Sequence, residues 1–417
     1  MYELLGTFPE LSHHRFMLKR RPLRLPHLAA CATSSVTPTD AELAARALDG
    51  QALLATILVW LALAFAGCAA GPRPDHSSTA PAASEPVHDN RRSVTVVPTW
   101  AAVDSTGNWH FTLRIWASKA RTVEMPEWVV RELTGDLEGL DPAEKELLAK
   151  RAADFFADDD SLEEVTFRFV ADPAHELFRF ERRTDFNGIV QQSFSLPVAR
   201  AQEIARKQGA SDGWLTIEAG YRDVKGQGRI KLLAPSGRSV VTDIDDTIKI
   251  TEILKGRTAI LRNTFLKAFE AVPGMRDRYA AYGDSVDFHY VSGAPWQLYR
   301  TLDQFLIEES GFPEGTFHMK NVPKNMAEPE TWRAWRNLIA GDYTVEHKMA
   351  EITALINACP KRRFILIGDS GEMDPEIFAA VRDKFPDRIE EILIRDVRGD
   401  ALEPGSSRLH NMTVIPP

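Results

Sequence analysis

The sequence predicts an α/β fold built on a parallel sheet, preceded by a mostly-β, sandwich-like domain with a helical insertion. Three observations lead there. From Ser236 onward, short apolar runs alternate with amphipathic helical stretches, the pattern of strands joined by covering helices. Between Arg92 and Pro235 several stretches alternate apolar and polar residues, the period of half-buried strands. Between Ala69 and Asn90 neither period is present, and the Ala-, Pro- and Ser-rich composition cannot bury enough surface to offset chain entropy.

The chain divides into four segments: a signal or targeting segment with a lipobox-like end at 1–68, a disordered linker at 69–91, a β-rich domain at 92–235 and the α/β domain at 236–417. The first rests on the run from Ala52 to Gly67, which carries no charge and ends at Cys68, as a secretory apolar region meets a processing site. The run is short for a membrane-spanning helix, which needs about twenty apolar residues. Leu63-Ala-Phe-Ala-Gly-Cys68 resembles a bacterial lipobox, apart from Phe65, and lipidation at Cys68 is preferred to a plain uncleaved anchor. Either reading tethers the body to a membrane of the bacterial cell envelope, on the periplasmic side for a lipoprotein. The basic cluster Lys19-Arg20-Arg21 lies too far upstream to serve this signal, so the true start is expected downstream of Met1.

In the β-rich domain the strand signals are Ser93 to Val97, Trp109 to Trp116, Glu164 to Val170 and Trp214 to Glu218. Pro126 to Phe156 carries apolar residues at helical spacing, among them Val129, Val130, Leu133, Leu147, Leu148, Ala152 and Phe155, and is the helical insertion. This region holds no constellation suited to chemistry. In the α/β domain the expected strands are Ser239 to Ile244, Val286 to Val291, Thr316 to Met319, Phe364 to Ile367 and Glu391 to Ile394. Ligands in such sheets sit beyond the carboxyl ends of the strands.

Composition narrows the function. An apolar share of 44% and a charged share of 26% suit a globular chain with real cores. A net charge of −9 and a pI near 5.7 argue against a nucleic-acid partner, which requires a basic face. The three cysteines, Cys31, Cys68 and Cys359, offer no disulfide framework, since two lie in the targeting segment.

The chemistry gathers at the strand ends. The first strand of the α/β domain runs Val240-Val-Thr-Asp-Ile-Asp-Asp-Thr247, so Asp243 and Asp245 leave an extended chain on the same side. One carboxylate could attack phosphorus while the other moves a proton. The second strand ends at Ser292-Gly293 before a helix opened by Pro295, which by itself reads as an N-cap and beside the other motifs as a donor-rich place for a phosphate oxygen. Gly368-Asp-Ser-Gly-Glu-Met-Asp374 ends another strand and either closes an Asx-turn or offers Asp369 and Asp374 to a hard, oxygen-preferring ion. For the balancing cation there are two candidates, Lys348 and Lys320, and Lys348, on the helix before that strand, is the better placed.

Together these residues carry a resemblance. Thr242-Asp-Ile-Asp-Asp-Thr-Ile-Lys249, Leu261-Arg-Asn-Thr-Phe265, Val272-Pro-Gly-Met275, His289-Tyr-Val-Ser-Gly-Ala-Pro-Trp-Gln-Leu-Tyr299, Gly311 to Lys320, His347-Lys348 and Phe364 to Glu376 resemble the catalytic domain of the actin-patch-associated phosphatidate phosphatases, a lipin-related branch of the haloacid dehalogenase superfamily. Ala294 departs from the Ser or Asn expected there. The resemblance implies a Rossmann-like haloacid dehalogenase core and a phosphoaspartyl mechanism. It also implies Mg²⁺ held by Asp243, the main-chain carbonyl of Asp245 and Asp369, with Asp374 in support. Thr247 and Ser292 with Gly293 would hold phosphate oxygens, and Lys348 would balance charge. About forty residues separate the first two motifs, too few for a large closing cap, so the open site is expected to admit a bulky lipid phosphate monoester. Lys255, Arg257 and Arg262 could touch its headgroup or be solvated surface. The sequence also leaves open a phosphatase for another envelope phosphoester, a non-catalytic lipid-phosphate-binding module, and an envelope scaffold working through its β domain.

Overall fold

The computed structural model describes residues 92–120, 140–322, 343–402 and 407–417. The targeting segment 1–68 with its lipobox, the linker 69–91 and the first part of the helical insertion, Val129, Val130 and Leu133 included, lie outside the described residues.

A nine-stranded mixed sheet comprises β1 (Arg92–Val96), β2 (Thr99–Val103), β3 (Asn108–Lys119), β4 (Asp158–Asp159), β5 (Thr166–Phe169), β6 (Phe178–Arg179), β7 (Ile189–Pro197), β8 (Trp214–Tyr221) and β9 (Val224–Leu233). Its pairings are antiparallel except for β2 with β9. The sheet folds over so that β1 lies against β9. Gly226 and Gly228 permit this, because a Cβ there would come within 2.4 Å of the Val94 carbonyl and 2.3 Å of the Val96 side chain. Phe111, Phe167, Phe169, Phe180, Leu215 and Ile217 fill the space between the layers. The four strand signals of this region all fall on strands, while β2, β7 and β9 add pairings that the alternation did not reveal.

The second sheet is parallel throughout, in the order β12-β11-β10-β13-β14-β15, with β10 (Ser236–Thr242), β11 (Val286–Pro295), β12 (Gly315–Lys320), β13 (Lys361–Asp369), β14 (Ile389–Arg395) and β15 (Thr413–Ile415). The chain winds outward from β10 on one side, then returns to β13 on the other. The switch in direction therefore lies between β10 and β13, where such sheets leave a crevice. Both faces are covered, which explains the continuous apolar strands. Val240, Ile365, Ile367 and Leu393 point into one core; Val241, Phe364, Leu366, Ile392 and Ile394 point into the other.

Four longer helices support and connect the sheets: α1 (Pro142–Phe156), α2 (Val198–Gln208), α3 (Tyr343–Ala358) and α4 (Asp374–Lys384). α3 and α4 lay Ile352, Leu355, Ile377, Phe378 and Val381 on one face of the parallel sheet. α1 starts at a capping box, in which the Asp141 carboxylate accepts from the Glu144 amide at 2.8 Å and the Glu144 carboxylate from the Asp141 amide at 3.2 Å. Its Leu148 and Ala152 join the core of the parallel sheet, beside Phe265 and Leu266, so the insertion in the β-rich region is spent on its neighbour. The two sheets belong to one compact unit. Trp116 of β3 meets Trp296 edge to face at 4.6 Å, and Arg300 pairs with Asp154 of α1 at 3.4 Å. Among the described residues no helix is long and apolar enough to cross a membrane.

Candidate active site

β10 and β13 place the first groups. The Asp243 amide extends the ladder by one bond to the Ile367 carbonyl at 2.9 Å, which sets Asp243 beside Gly368 and Asp369 at the carboxyl ends of adjacent strands. One carboxylate oxygen each from Asp243, Asp369 and Asp374 lies within 4.8 Å of the other two, and all three side chains are buried. Gly368 makes room for this approach: a Cβ there would lie 2.3 Å from Asp374 Oδ2.

Lys348 rises from α3 into the middle of the group. Its Nζ is 2.8 Å from Asp243 Oδ1, 2.6 Å from Asp374 Oδ1 and 2.9 Å from Glu372 Oε2, with 1% of the side chain exposed. Burial disfavours the ammonium, but Asp243, Asp374 and Glu372 hold its pKa well above the usual lysine range. Lys320 is also buried, donates to Thr344 Oγ1, and is pulled down to about 8 by burial, with Glu372 opposing and Lys348 adding to the fall. Of the two lysines, Lys348 is the one on the Asp243 carboxylate.

Lys348 is the cation in contact with Asp243, Asp374 and Glu372, and the excess of carboxylates around it shows. Burial pushes Asp243 well above the ordinary carboxylate range; Lys348 opposes the shift, and Asp374 and Glu372 reinforce it. Asp369 is raised in the same way, by burial and then by the charges of Asp374, Glu372 and Asp243. Asp369 Oδ1 accepts from the Gly371 amide at 2.6 Å, but its Oδ2 is buried without a hydrogen-bond partner. Asp243 Oδ1 is likewise buried, with the Lys348 ammonium 2.8 Å away as its ion-pair partner and nothing else to satisfy it among the described residues. Buried oxygens left like this are costly unless something else satisfies them. An all-oxygen donor set of this charge fits a hard divalent cation.

Asp245 contrasts with its neighbour. Burial would raise it, but Lys249 at 2.8 Å and Thr251 at 2.5 Å, both donating to Oδ1, hold its pKa below the usual range. The loop is pinned by Asp246, whose φ is +53° and whose carboxylate accepts from the amides of Thr251, Glu252 and Ile253 at 2.8, 2.8 and 2.6 Å. Thr247 donates to Asp243 Oδ2 at 3.2 Å. Ser292 reaches toward Asp245 Oδ2 at 3.5 Å and accepts from the Ala294 amide at 2.9 Å. β11 continues through Gly293 to Pro295 with an irregular register, so Ser292 closes a local turn and the following helix is capped at Pro295.

The structure thus brings Asp243, Asp245, Thr247, Ser292, Lys348, Asp369 and Asp374 together. Reading the motifs missed Glu372, Lys249 and Thr251. Glu372 stands two residues before Asp374, in the loop that leads into α4, a spacing that could have marked it. Of the basic trio, Arg262 pairs with Glu144 of α1 at 3.3 Å and Lys255 with Glu252 at 2.5 Å, while the Arg257 side chain is outside the described part of the molecule. A separate cleft of about 440 Å³, lined by Trp100, Arg114, Phe317, Met319 and Glu351 among others, contains none of the site residues.

The stretch that carries these residues is similar to known proteins. Residues 238–396 match the family described as phosphatidate phosphatase APP1, catalytic domain. An uncharacterised protein of Schizosaccharomyces pombe is 30% identical over 177 residues, 41% of this chain and 27% of its own length. Phosphatidate phosphatase APP1 of Saccharomyces cerevisiae is 31% identical over 167 residues, 39% of this chain and 26% of its own. The match therefore takes in 27% and 26% of those relatives' lengths. Among solved structures, an FMN-binding beta-glucuronidase from Facaelibacterium prausnitzii L2-6 aligns over 78% of this chain and 42% of its own at 10% identity with a TM-score of 0.23, too low to bear on fold or function. The resemblance read from the motifs is shown for residues 238–396: this part of the chain is similar to a phosphatase catalytic domain.

Proposed function

We propose that the chain is a Mg²⁺-dependent phosphatase of phosphatidate or a related lipid phosphate monoester, working through a phosphoaspartyl intermediate on a Rossmann-like haloacid dehalogenase core. The observation that carries this reading is the buried Asp243 carboxylate, paired with Lys348 and facing Asp369 at the switch point of a parallel sheet. Asp243, the main-chain carbonyl of Asp245 and Asp369 would hold the cation, with Asp374 in support. When bound, it would draw charge from the phosphoryl oxygens and relieve the crowding of carboxylates.

Asp243, oriented by Thr247, attacks phosphorus and forms the acyl phosphate as the ester oxygen leaves. Lys348 offsets the charge that would keep a carboxylate from a phosphate. Asp245 gives the departing alkoxide a proton, taken up when the anionic substrate arrives beside it. Ionised again, as Lys249 and Thr251 favour, it removes a proton from the water that releases phosphate from Asp243. Ser292 and Gly293 hold phosphate oxygens during both steps.

The lipid substrate draws support from the name of the matched family and from the segment between β10 and β11, which is too short to hold a large cap. The proposed membrane tether at Cys68 would place the site in the cell envelope near such a substrate. The test is a panel of phosphatidate vesicles and soluble phosphomonoesters, assayed with and without a chelator. Chelator-sensitive turnover with a preference for phosphatidate is expected; a clear preference for a soluble ester would end the lipid assignment.

A further inference from the structure

Arg151 is where the helical insertion meets the segment that follows the active-site loop. It sits on α1 with 5% of its surface exposed, and its Nη1 donates to the carbonyls of Thr264 at 2.8 Å and Lys267 at 2.5 Å. Those carbonyls lie in and just after the π-helical turn Arg262–Leu266, where a helix end leaves acceptors open. The guanidinium carbon stands 3.7 Å from the centre of the Phe269 ring. A second cation uses the same ring: Lys249 Nζ is 4.9 Å from its centre. Lys249 is 2% exposed, and its other partners are Asp245 Oδ1 at 2.8 Å and Thr251 Oγ1 at 2.5 Å.

The backbone makes the same connection. The Ile250 amide donates to the Glu270 carbonyl and the Val272 amide to the Ile248 carbonyl, both at 2.9 Å, and Lys249 bridges Ala271 in an antiparallel pair. The segment that Arg151 grips is therefore stitched to the loop carrying Asp243, Asp245 and Lys249. A buried arginine with two carbonyls and an aromatic face has little freedom to shift, so it fixes the place of Phe269.

We propose that Arg151 is a positioning residue for Asp245, acting through Phe269 and Lys249, and that bracing the active-site loop is a role of the helical insertion. This rests on the reading of Asp245 as the proton-handling group. A small misplacement of such a group costs rate while leaving substrate affinity largely alone.

The test uses the full chain, Mg²⁺ and a soluble phosphomonoester. Arg151→Met should lower kcat roughly tenfold or more with KM within about twofold of the parent. Arg151→Lys, which keeps a cation over Phe269, should recover most of the loss. In the double variant Arg151→Met with Lys249→Met, kcat should fall no further than with Lys249→Met alone, as expected of residues acting in one line. Losses that multiply, or a parent-like kcat in Arg151→Met with only a lower melting temperature, would overturn the proposal. Should Arg151→Met fail to fold, Phe269→Leu breaks the same link and carries the same expectations. If the parent shows no Mg²⁺-dependent turnover, or Asp245→Asn keeps full activity, the underlying reading of the site fails, and the proposal with it. A parent and an Asp245→Asn variant that behave as expected, beside a parent-like Arg151→Met, sink the brace alone.

Discussion

Asp172 in the β-rich region and Asp243 at the end of β10 expose little surface, 1% and 2%, but Asp172 lies just beneath the surface and Asp243 deep in the molecule, and their surroundings treat charge in opposite ways. Asp172 accepts from the amides of Ala174 and Glu176 at 3.1 and 3.3 Å and pairs with Arg200 of α2. Burial would raise its pKa, but Arg200 and those amides hold it below the ordinary value. Asp243 has one shared ammonium, a threonine and a crowd of other carboxylates, and burial pushes it well above that value. A carboxylate whose needs are met closes a loop. One whose needs are unmet is poised for a ligand or a reaction.

The largest expected effect separates the two. Asp243→Asn should abolish phosphatase turnover, by at least about a thousandfold, while circular dichroism stays that of the parent. Asp172→Asn should leave turnover per folded molecule unchanged and lower the melting temperature at neutral pH. Linkage gives the pH dependence of that loss. Asp172 is depressed in the folded state, so its contribution is present above the unfolded carboxylate range and fades as pH falls through the folded value. The melting temperatures of parent and Asp172→Asn should therefore converge on acidification; a constant gap would mean that Asp172 acts through packing and not through charge.

Next in size is Lys348→Met, which leaves Asp243, Glu372 and Asp374 facing one another. Removing one partner of a buried ion pair costs about 3–5 kcal/mol. The pH trend should be the reverse of that for Asp172. Asp243 and Glu372 are raised in the folded state, chiefly by burial, so the folded chain binds more protons than the unfolded one and loses stability as pH rises from the unfolded carboxylate range toward the folded values. Without Lys348 that slope should steepen, so thermal melts of the variant at pH 5 should lie closer to the parent than melts at pH 7. An unchanged gap would show that the three carboxylates repel one another less than their spacing implies.

The same contrast explains what could be read from the sequence. The apolar strand running into Asp243-Ile-Asp245 was legible because strand period and motif fall on the same residues, and so were the ends of β11 and β13. Lys249, Thr251 and Glu372 were not. A lysine or glutamate in a loop has the same signature whether it is solvated or turned inward, and here the turn at Asp246, with its positive φ, decides the matter. α1 was legible as a helix from its spacing, but not its partner, since an apolar stripe does not say which surface it will cover. β15, three residues long and at the sheet edge, is too short for any period to register.

The smallest expected effect comes from two glycines that make room in different regions. A Cβ on Gly368 would lie 2.3 Å from Asp374 Oδ2, and one on Gly226 would lie 2.4 Å from the Val94 carbonyl. Neither has the positive φ that would strain any side chain, so each substitution by alanine acts through crowding and not through backbone strain. Overpacking of this kind costs about 1–3 kcal/mol, and the two melting temperatures should fall by similar amounts. Activity should part them. Gly368→Ala must displace Asp374, which moves a carboxylate off Lys348 and out of the acidic cluster, so turnover per folded molecule should drop by roughly tenfold. Gly226→Ala presses on β1 in the nine-stranded sheet and should keep the parent's turnover. Were Gly226→Ala to lose as much activity as Gly368→Ala at equal stability, the site could not be as local to the parallel sheet as its geometry indicates, and the packing of β1 on β9 would have to reach the Asp243 loop.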